Sequence, residues 1–178
     1  MTARRLTPGR RWRRVGDGLL WGLVIVIAVV AVRRLVPDLD LPDLGPAPDV
    51  TVAALDGTPH GPADYRGQVV VLNVWATWCP PCVVETQGFV DLQAEFAGDV
   101  QFLGLSQDED PGAVRAFAER HGVDYPLLVG APLDGRLPPT AVLPTTYVID
   151  RDGRVRMRHE GLLLEPALRS ALRDLVSE

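Results

Sequence analysis

The sequence predicts an α/β fold, a central mixed β-sheet flanked by helices on both faces, with an N-terminal transmembrane helix in front of it. Three observations predict this. Short apolar, β-branched runs at Val69–Trp75, Val100–Leu105 and Thr145–Ile149 alternate with stretches whose apolar residues recur at helical spacing. The last of these runs leads through a hairpin-type turn, Asp150-Arg151-Asp152-Gly153, into Arg154–Arg158, which adds an antiparallel element to strands otherwise separated by helices. Leu19–Val32 (LLWGLVIVIAVVAV) carries no charge and is bracketed by arginines.

The 178 residues leave room for one domain of ordinary size and a tail. The formal charge of −5 hides a division. Met1–Pro37 holds eight arginines and one acid, Asp17, whereas the rest holds ten arginines and twenty-two acids, close to −12. The basic end is explained by an apolar segment between arginines, so it is not a nucleic-acid signature.

An apolar run of fourteen residues is short for a bilayer that asks for about 20. Val15–Val36 reaches that length when Asp17 sits at the interface and Arg33 and Arg34 snorkel. Six arginines before the run and two after it place the N-terminus in the cytoplasm and the remainder outside. A cleaved signal peptide is the alternative, and it too exports the domain. The expected organisation is therefore a basic cytoplasmic tail (1–14), a transmembrane anchor or signal peptide (15–36), a linker rich in Pro and Asp (37–48) and a domain at 49–178, extracytoplasmic on a single-pass membrane protein.

Within the domain, Val50–Leu55 reads as a strand ending in the Asp56-Gly57 turn, and Ala63–Gly67 as a short helical turn. After the central strand a helix runs from Pro80 to Ala97, with Phe89, Leu92 and Phe96 on one face and Gly98-Asp99 at its end. Ser106–Asp110 is an acidic loop. Asp110-Pro111 supplies an N-cap and a first-turn proline for the next helix, which Gly122 stops. Tyr125–Val129 is a short apolar segment, and the proline-rich Gly130–Leu143 has no legible element. Leu168, Leu172, Leu175 and Val176 give a closing helix its apolar stripe.

The chemistry gathers at Val69–Cys82 (VVVLNVWATWCPPC), a buried strand feeding a helix that starts at a cysteine. A helix N-terminus favours a thiolate through its free N–H groups and dipole. The chain's two cysteines form this one Cys-x-x-Cys, and His60, His121 and His159 are scattered, so structural zinc, which needs about four ligands, is disfavoured. A structural disulfide, capture of copper(I) by two thiolates, and redox exchange remain open. A peroxidase is disfavoured, because no Pro-x-x-x-Thr-x-x-Cys leads into Cys79.

Asp64-Tyr65-Arg66-Gly67, Val70–Cys82, Glu85 and Pro144-Thr145-Thr146-Tyr147-Val148-Ile149-Asp150-Arg151-Asp152-Gly153 together resemble the membrane-anchored thioredoxin-like thiol–disulfide oxidoreductases of the TlpA/ResA type. The resemblance runs from about Val50 to the C-terminus and implies a thioredoxin-like fold with a redox-active cysteine pair. It implies that Cys79, at an exposed helix end, attacks and that Cys82, one turn in, resolves the mixed disulfide. Pro80 and Pro81 each remove an N–H, so the Cys79 thiol is expected to be less acidic than in strongly oxidising relatives. Glu85 matches the family's active-site glutamate, which influences thiol acidity and proton transfer; an ordinary solvated helix residue is the competing reading. Asn73 stands where cytoplasmic thioredoxins bury an aspartate, leaving Glu85 as the candidate carboxylate.

The resemblance also implies a cis peptide at Pro144, with the backbone of Leu143 pairing with a substrate peptide and Trp78 as an apolar rim. Trp75 is read as core. Gln87 and Val142 depart from the family, which often has Pro and Gly there, and this bears on partner specificity. The implied activity is exchange with protein disulfide or dithiol partners, as a reductant for apocytochrome c or a copper-site protein, with electrons from a membrane thiol transporter. No metal, cofactor or nucleic acid is expected. A copper(I)-handling binding protein is the alternative.

Overall fold

The structure is a computed structural model and describes residues 41–130 and 142–178. The tail, the anchor and most of Gly130–Leu143 lie outside the described residues. Among those described, no helix is long and apolar enough to cross a membrane.

Five strands form the central sheet: β3 (Val69–Trp75), β4 (Val100–Ser106), β5 (Leu127–Leu128), β6 (Thr145–Ile149) and β7 (Val155–Glu160), in the order β5-β4-β3-β6-β7. β1 (Val52–Ala53) and β2 (Pro59–His60) make a separate two-stranded hairpin, followed by a 3₁₀ turn at Pro62–Tyr65. Among the described residues the α-helices are α1 (Pro80–Glu95), α2 (Pro111–His121) and α3 (Glu165–Ser177). β3 runs parallel to β4 and antiparallel to β6, so the sheet is mixed, as the sequence predicts. β3 is central and wholly buried, which is why it reads as an unbroken apolar run rather than an alternating one.

Period-two alternation sorts that run onto two faces. Val69 and Val71 meet Val100, Phe102 and Val148 under Phe89 and Leu92 of α1 and Leu168, Leu172 and Leu175 of α3. Val70, Leu72 and Val74 point the other way, with Leu103, Leu105, Tyr147 and Ile149. Helices on both faces were expected, and here the structure differs. Among the described residues the second face is covered by Val50, Ala54 and Tyr65, from the hairpin region and the 3₁₀ turn, without an α-helix. The hairpin reaches that position by pairing with the edge strand: Leu55 N–H donates to Leu127 O (3.0 Å) and Val129 N–H to Ala53 O (3.0 Å). α2 packs against Trp75, the last residue of β3, and Leu127 of β5, its Phe117 ring 4.8 Å from that of Trp75.

Residues 41–48, read from composition as linker, pair with the edge of the sheet. Pro/Asp composition reads as linker, yet an edge strand asks only for backbone donors and acceptors. Leu44 N–H donates to Val155 O (2.8 Å), Val155 N–H to Gly45 O (2.8 Å) and Ala47 N–H to Gly153 O (2.9 Å). Residues 41–48 thus cover the otherwise open edge of β7, and the Asp43–Arg154 ion pair (2.5 Å) adds to the contact.

The β6–β7 turn shows why two distant motifs occur together. Gly153 has φ +74°, and a Cβ there would lie 1.8 Å from Nη1 of Arg66. Gly67 N–H donates to Arg151 O (3.0 Å), and the Arg151 guanidinium donates to Leu175 O and Val176 O (3.0 and 3.1 Å), satisfying the last turn of α3. Gly153→Ala combines left-handed strain with displacement of Arg66, and should lower stability by about 1–3 kcal/mol in urea unfolding. An unchanged midpoint would contradict this account of the turn.

Candidate active site

β3 ends at Trp75, the chain turns through Ala76–Trp78, and α1 begins immediately afterwards. Cys79 is the N-cap residue of α1, with extended backbone (φ −95°, ψ 106°), and prolines fill the first two helical positions. Proline suits this place because its missing N–H would have no intrahelical partner. The consequence is electrostatic: among the first three helical positions only Cys82 retains an N–H to offer a sulfur at the N-cap.

Cys79 and Cys82 form a disulfide with Cα atoms 5.3 Å apart. Cys79 is not the exposed residue the sequence suggests: it is 4 % exposed and Cys82 is 1 % exposed. The pair sits in an apolar cluster with Trp75, Ala76, Val114, Phe117 and Leu127, and half-buried Leu143 packs on that cluster. The Leu143-Pro144 peptide is cis, and Pro144 is buried. Thr145 Oγ1 donates to Val142 O (2.8 Å) and Gly161 N–H to Pro144 O (2.8 Å), so the loop is held from both ends. Trp78 is 66 % exposed, Pro80 is exposed and Pro81 half-buried, whereas Trp75 is core. The cysteine pair thus has an apolar rim of Trp78 and Pro80 with the Leu143–Pro144 loop packed against its cluster.

Glu85 is not an ordinary solvated helix residue, being 5 % exposed. It follows Cys82 by three residues on α1 and so shares its inward face. In β3 and β6, Asn73 lies opposite Thr146, on the face that looks toward α1. Asn73 Nδ2 donates to Glu85 Oε1 (2.9 Å) and to Thr146 Oγ1 (3.0 Å), and Leu163 N–H donates to Glu85 Oε2 (3.1 Å). Burial pushes the Glu85 carboxyl up to about 7, against the opposing pull of the bonds from Leu163 and Asn73. A carboxyl near 7 can give or take a proton at neutral pH. The sequence places Asn73 and Glu85 individually; the structure joins them.

Asp108 was not singled out in the sequence, which shows only an acidic loop there. Its carboxylate accepts from Thr77 N–H (2.9 Å), Thr77 Oγ1 (2.5 Å) and Ser106 Oγ (2.7 Å). The missing signal was positional. β4 is parallel to β3 with Trp75 opposite Ser106, so the residues just past Ser106 must lie beside the turn into Cys79.

The AhpC/TSA family model matches residues 45–158. The chain belongs to the AhpC/TSA family. It is a thioredoxin-like thiol–disulfide oxidoreductase, as the sequence resemblance implies. It is 33% identical over 132 residues to the thiol-disulfide oxidoreductase ResA of Geobacillus thermodenitrificans, covering 72% of this chain and 75% of that protein. Among solved structures, a thiol:disulfide interchange protein of the thioredoxin family from Chlorobium tepidum superposes with a TM-score of 0.67 at 26% identity, covering 74% of this chain and 96% of that one. A secreted thiol-disulfide isomerase from Corynebacterium glutamicum gives 0.63 at 28% identity, covering 78% and 86%.

Proposed function

We propose that this AhpC/TSA-family protein is an extracytoplasmic reductant that exchanges its Cys79–Cys82 dithiol with disulfides of partner proteins, held at the membrane by residues 15–36. The observation that carries the reading is a cysteine pair at the start of α1, with the Leu143–cis-Pro144 loop packed against it. In the reaction the Cys79 thiolate attacks one sulfur of the partner disulfide, forming a mixed disulfide and releasing the partner's other sulfur as a thiolate. Cys82 then attacks Cys79 Sγ, loses its proton and releases the second partner thiol. Two electrons pass to the partner, and the Cys79–Cys82 disulfide remains. Glu85 takes the proton from Cys82, Leu143 and Pro144 align the partner's extended backbone, and Trp78, Pro80 and Pro81 supply the apolar rim.

Export is supported by the arginine-flanked apolar segment and is in keeping with the secreted Corynebacterium glutamicum neighbour. The partners are an apocytochrome c or a copper-site protein, and a membrane thiol transporter restores the dithiol. Cys82→Ser in the full-length protein should retain partners as mixed disulfides in cells, with release on adding a reducing agent. Recovery of a cytochrome or a copper protein supports the partner class. Binding of copper(I) without any trapped disulfide points instead to copper handling.

A further inference from the structure

We propose that Asp108 is a positioning residue for thiol–disulfide exchange, fastening the turn that delivers Cys79 to the start of α1. The proposal rests on the reading of Cys79 as the attacking sulfur. The turn between Trp75 and Cys79 is closed on itself by Cys79 N–H donating to Ala76 O (3.2 Å). It is tied to the loop after β4 by three further bonds. One is main chain to main chain, Gln107 N–H to Trp75 O (2.8 Å). The other two end on Asp108, whose two oxygens take the Thr77 amide (2.9 Å) and the Thr77 hydroxyl (2.5 Å).

Asp108 is itself held in place. Ser106 Oγ donates to Asp108 Oδ2 (2.7 Å) and accepts from Asp108 N–H (2.9 Å), so the loop is pinned to the end of β4 before it reaches the turn. Cys79 follows Thr77 by two residues, so rotation of the Thr77 peptide moves its Sγ directly. Exchange needs three sulfurs nearly in line, and a misplacement of about 1 Å can cost on the order of 100-fold in rate.

Asparagine can reproduce the clamp: its Oδ1 can take the Thr77 amide and the Ser106 hydroxyl while its Nδ2 donates to Thr77 Oγ1. Alanine cannot. Both substitutions remove the charge, so the difference between them reports geometry alone. In full-length protein reduced beforehand, with oxidised glutathione as probe, Asp108→Ala should react at least about tenfold more slowly than Asp108→Asn. Equal rates for Asp108→Ala and Asp108→Asn overturn the proposal. If Asp108→Ala does not fold, Thr77→Val, which loses only the hydroxyl bond, should slow exchange by about threefold or more; a wild-type rate overturns the proposal. The ratio is expected to persist in a Cys82→Ser background, where only Cys79 reacts. Inertness of Cys82→Ser toward glutathione disulfide would overturn the sulfur assignment, whereas equal rates in a reactive Cys82→Ser background overturn the role of Asp108 alone.

Discussion

Cys79→Ser should bring disulfide exchange down to the uncatalysed background, while Cys82→Ser should complete the first half of the reaction and stop. The two cysteines are almost equally buried, so exposure does not separate them. Their positions on the helix do. Cys79 precedes the first turn of α1 and lies at the positive end of its dipole, whereas Cys82 is already inside the turn. A thiolate at Cys79 can accept the Cys82 amide. A thiolate at Cys82 would lie past the helix start, away from the N-terminal position that Cys79 occupies. With a chromogenic aromatic disulfide, reduced Cys82→Ser should release about one equivalent of coloured thiol and Cys79→Ser none on the same timescale. Release from Cys79→Ser but not from Cys82→Ser would reverse the two roles.

What could be read from sequence, and what could not, divides along one physical line. The core strand, the helix starting at Pro80, the N-cap at Asp110 and the stripe of α3 were all legible, because each depends on residues within one or two turns of each other. Asp110 accepts from Gly112 N–H (2.8 Å), a bond between near neighbours that a propensity argument anticipates. The Glu85 network is different. Its donors come from Asn73 on β3 and Leu163 before α3, twelve and seventy-eight residues away, so local pattern does not reveal that the carboxylate is buried and bonded. The edge pairing of residues 41–48 was hidden for another reason. It uses backbone groups that every residue but proline possesses, so side-chain composition pointed to a linker. The strand at Val50–Leu55 and its Asp56-Gly57 turn were legible, but their place over the second sheet face was not, because it depends on pairing with Leu127 and Val129 far along the chain.

Glu85→Gln should flatten the pH dependence of stability between pH 4.5 and 7 and remove a titration near 7 from the exchange rate. The sign follows from where the proton is held. The folded-state carboxyl is raised from 4.5 to about 7 because burial penalises the anion. Between those values the folded protein keeps a proton that the unfolded chain has lost, so unfolding releases it and stability falls as pH rises. The penalty is absent below pH 4.5 and complete above about 7, and the gap corresponds to about 3 kcal/mol at 1.36 kcal/mol per pH unit. Urea unfolding at pH 5 and pH 8 should therefore show wild type losing most of that amount relative to Glu85→Gln. Parallel curves for the two proteins would contradict a buried, titrating Glu85. Glu85→Ala should behave differently again. It leaves the Leu163 N–H without its acceptor and Asn73 with one fewer, and should cost about 1–3 kcal/mol at both pH values. A protein that accepts this destabilisation at neutral pH keeps a carboxyl balanced between its two forms beside Cys82 on α1. In the proposed mechanism that balance would let one group receive a proton from a thiol and return it in the next half-reaction, which a fully ionised surface glutamate could not do. The rate profile tests the link: if Glu85→Gln keeps a titration near 7 in exchange while losing it in stability, the proton that limits the rate belongs to another group.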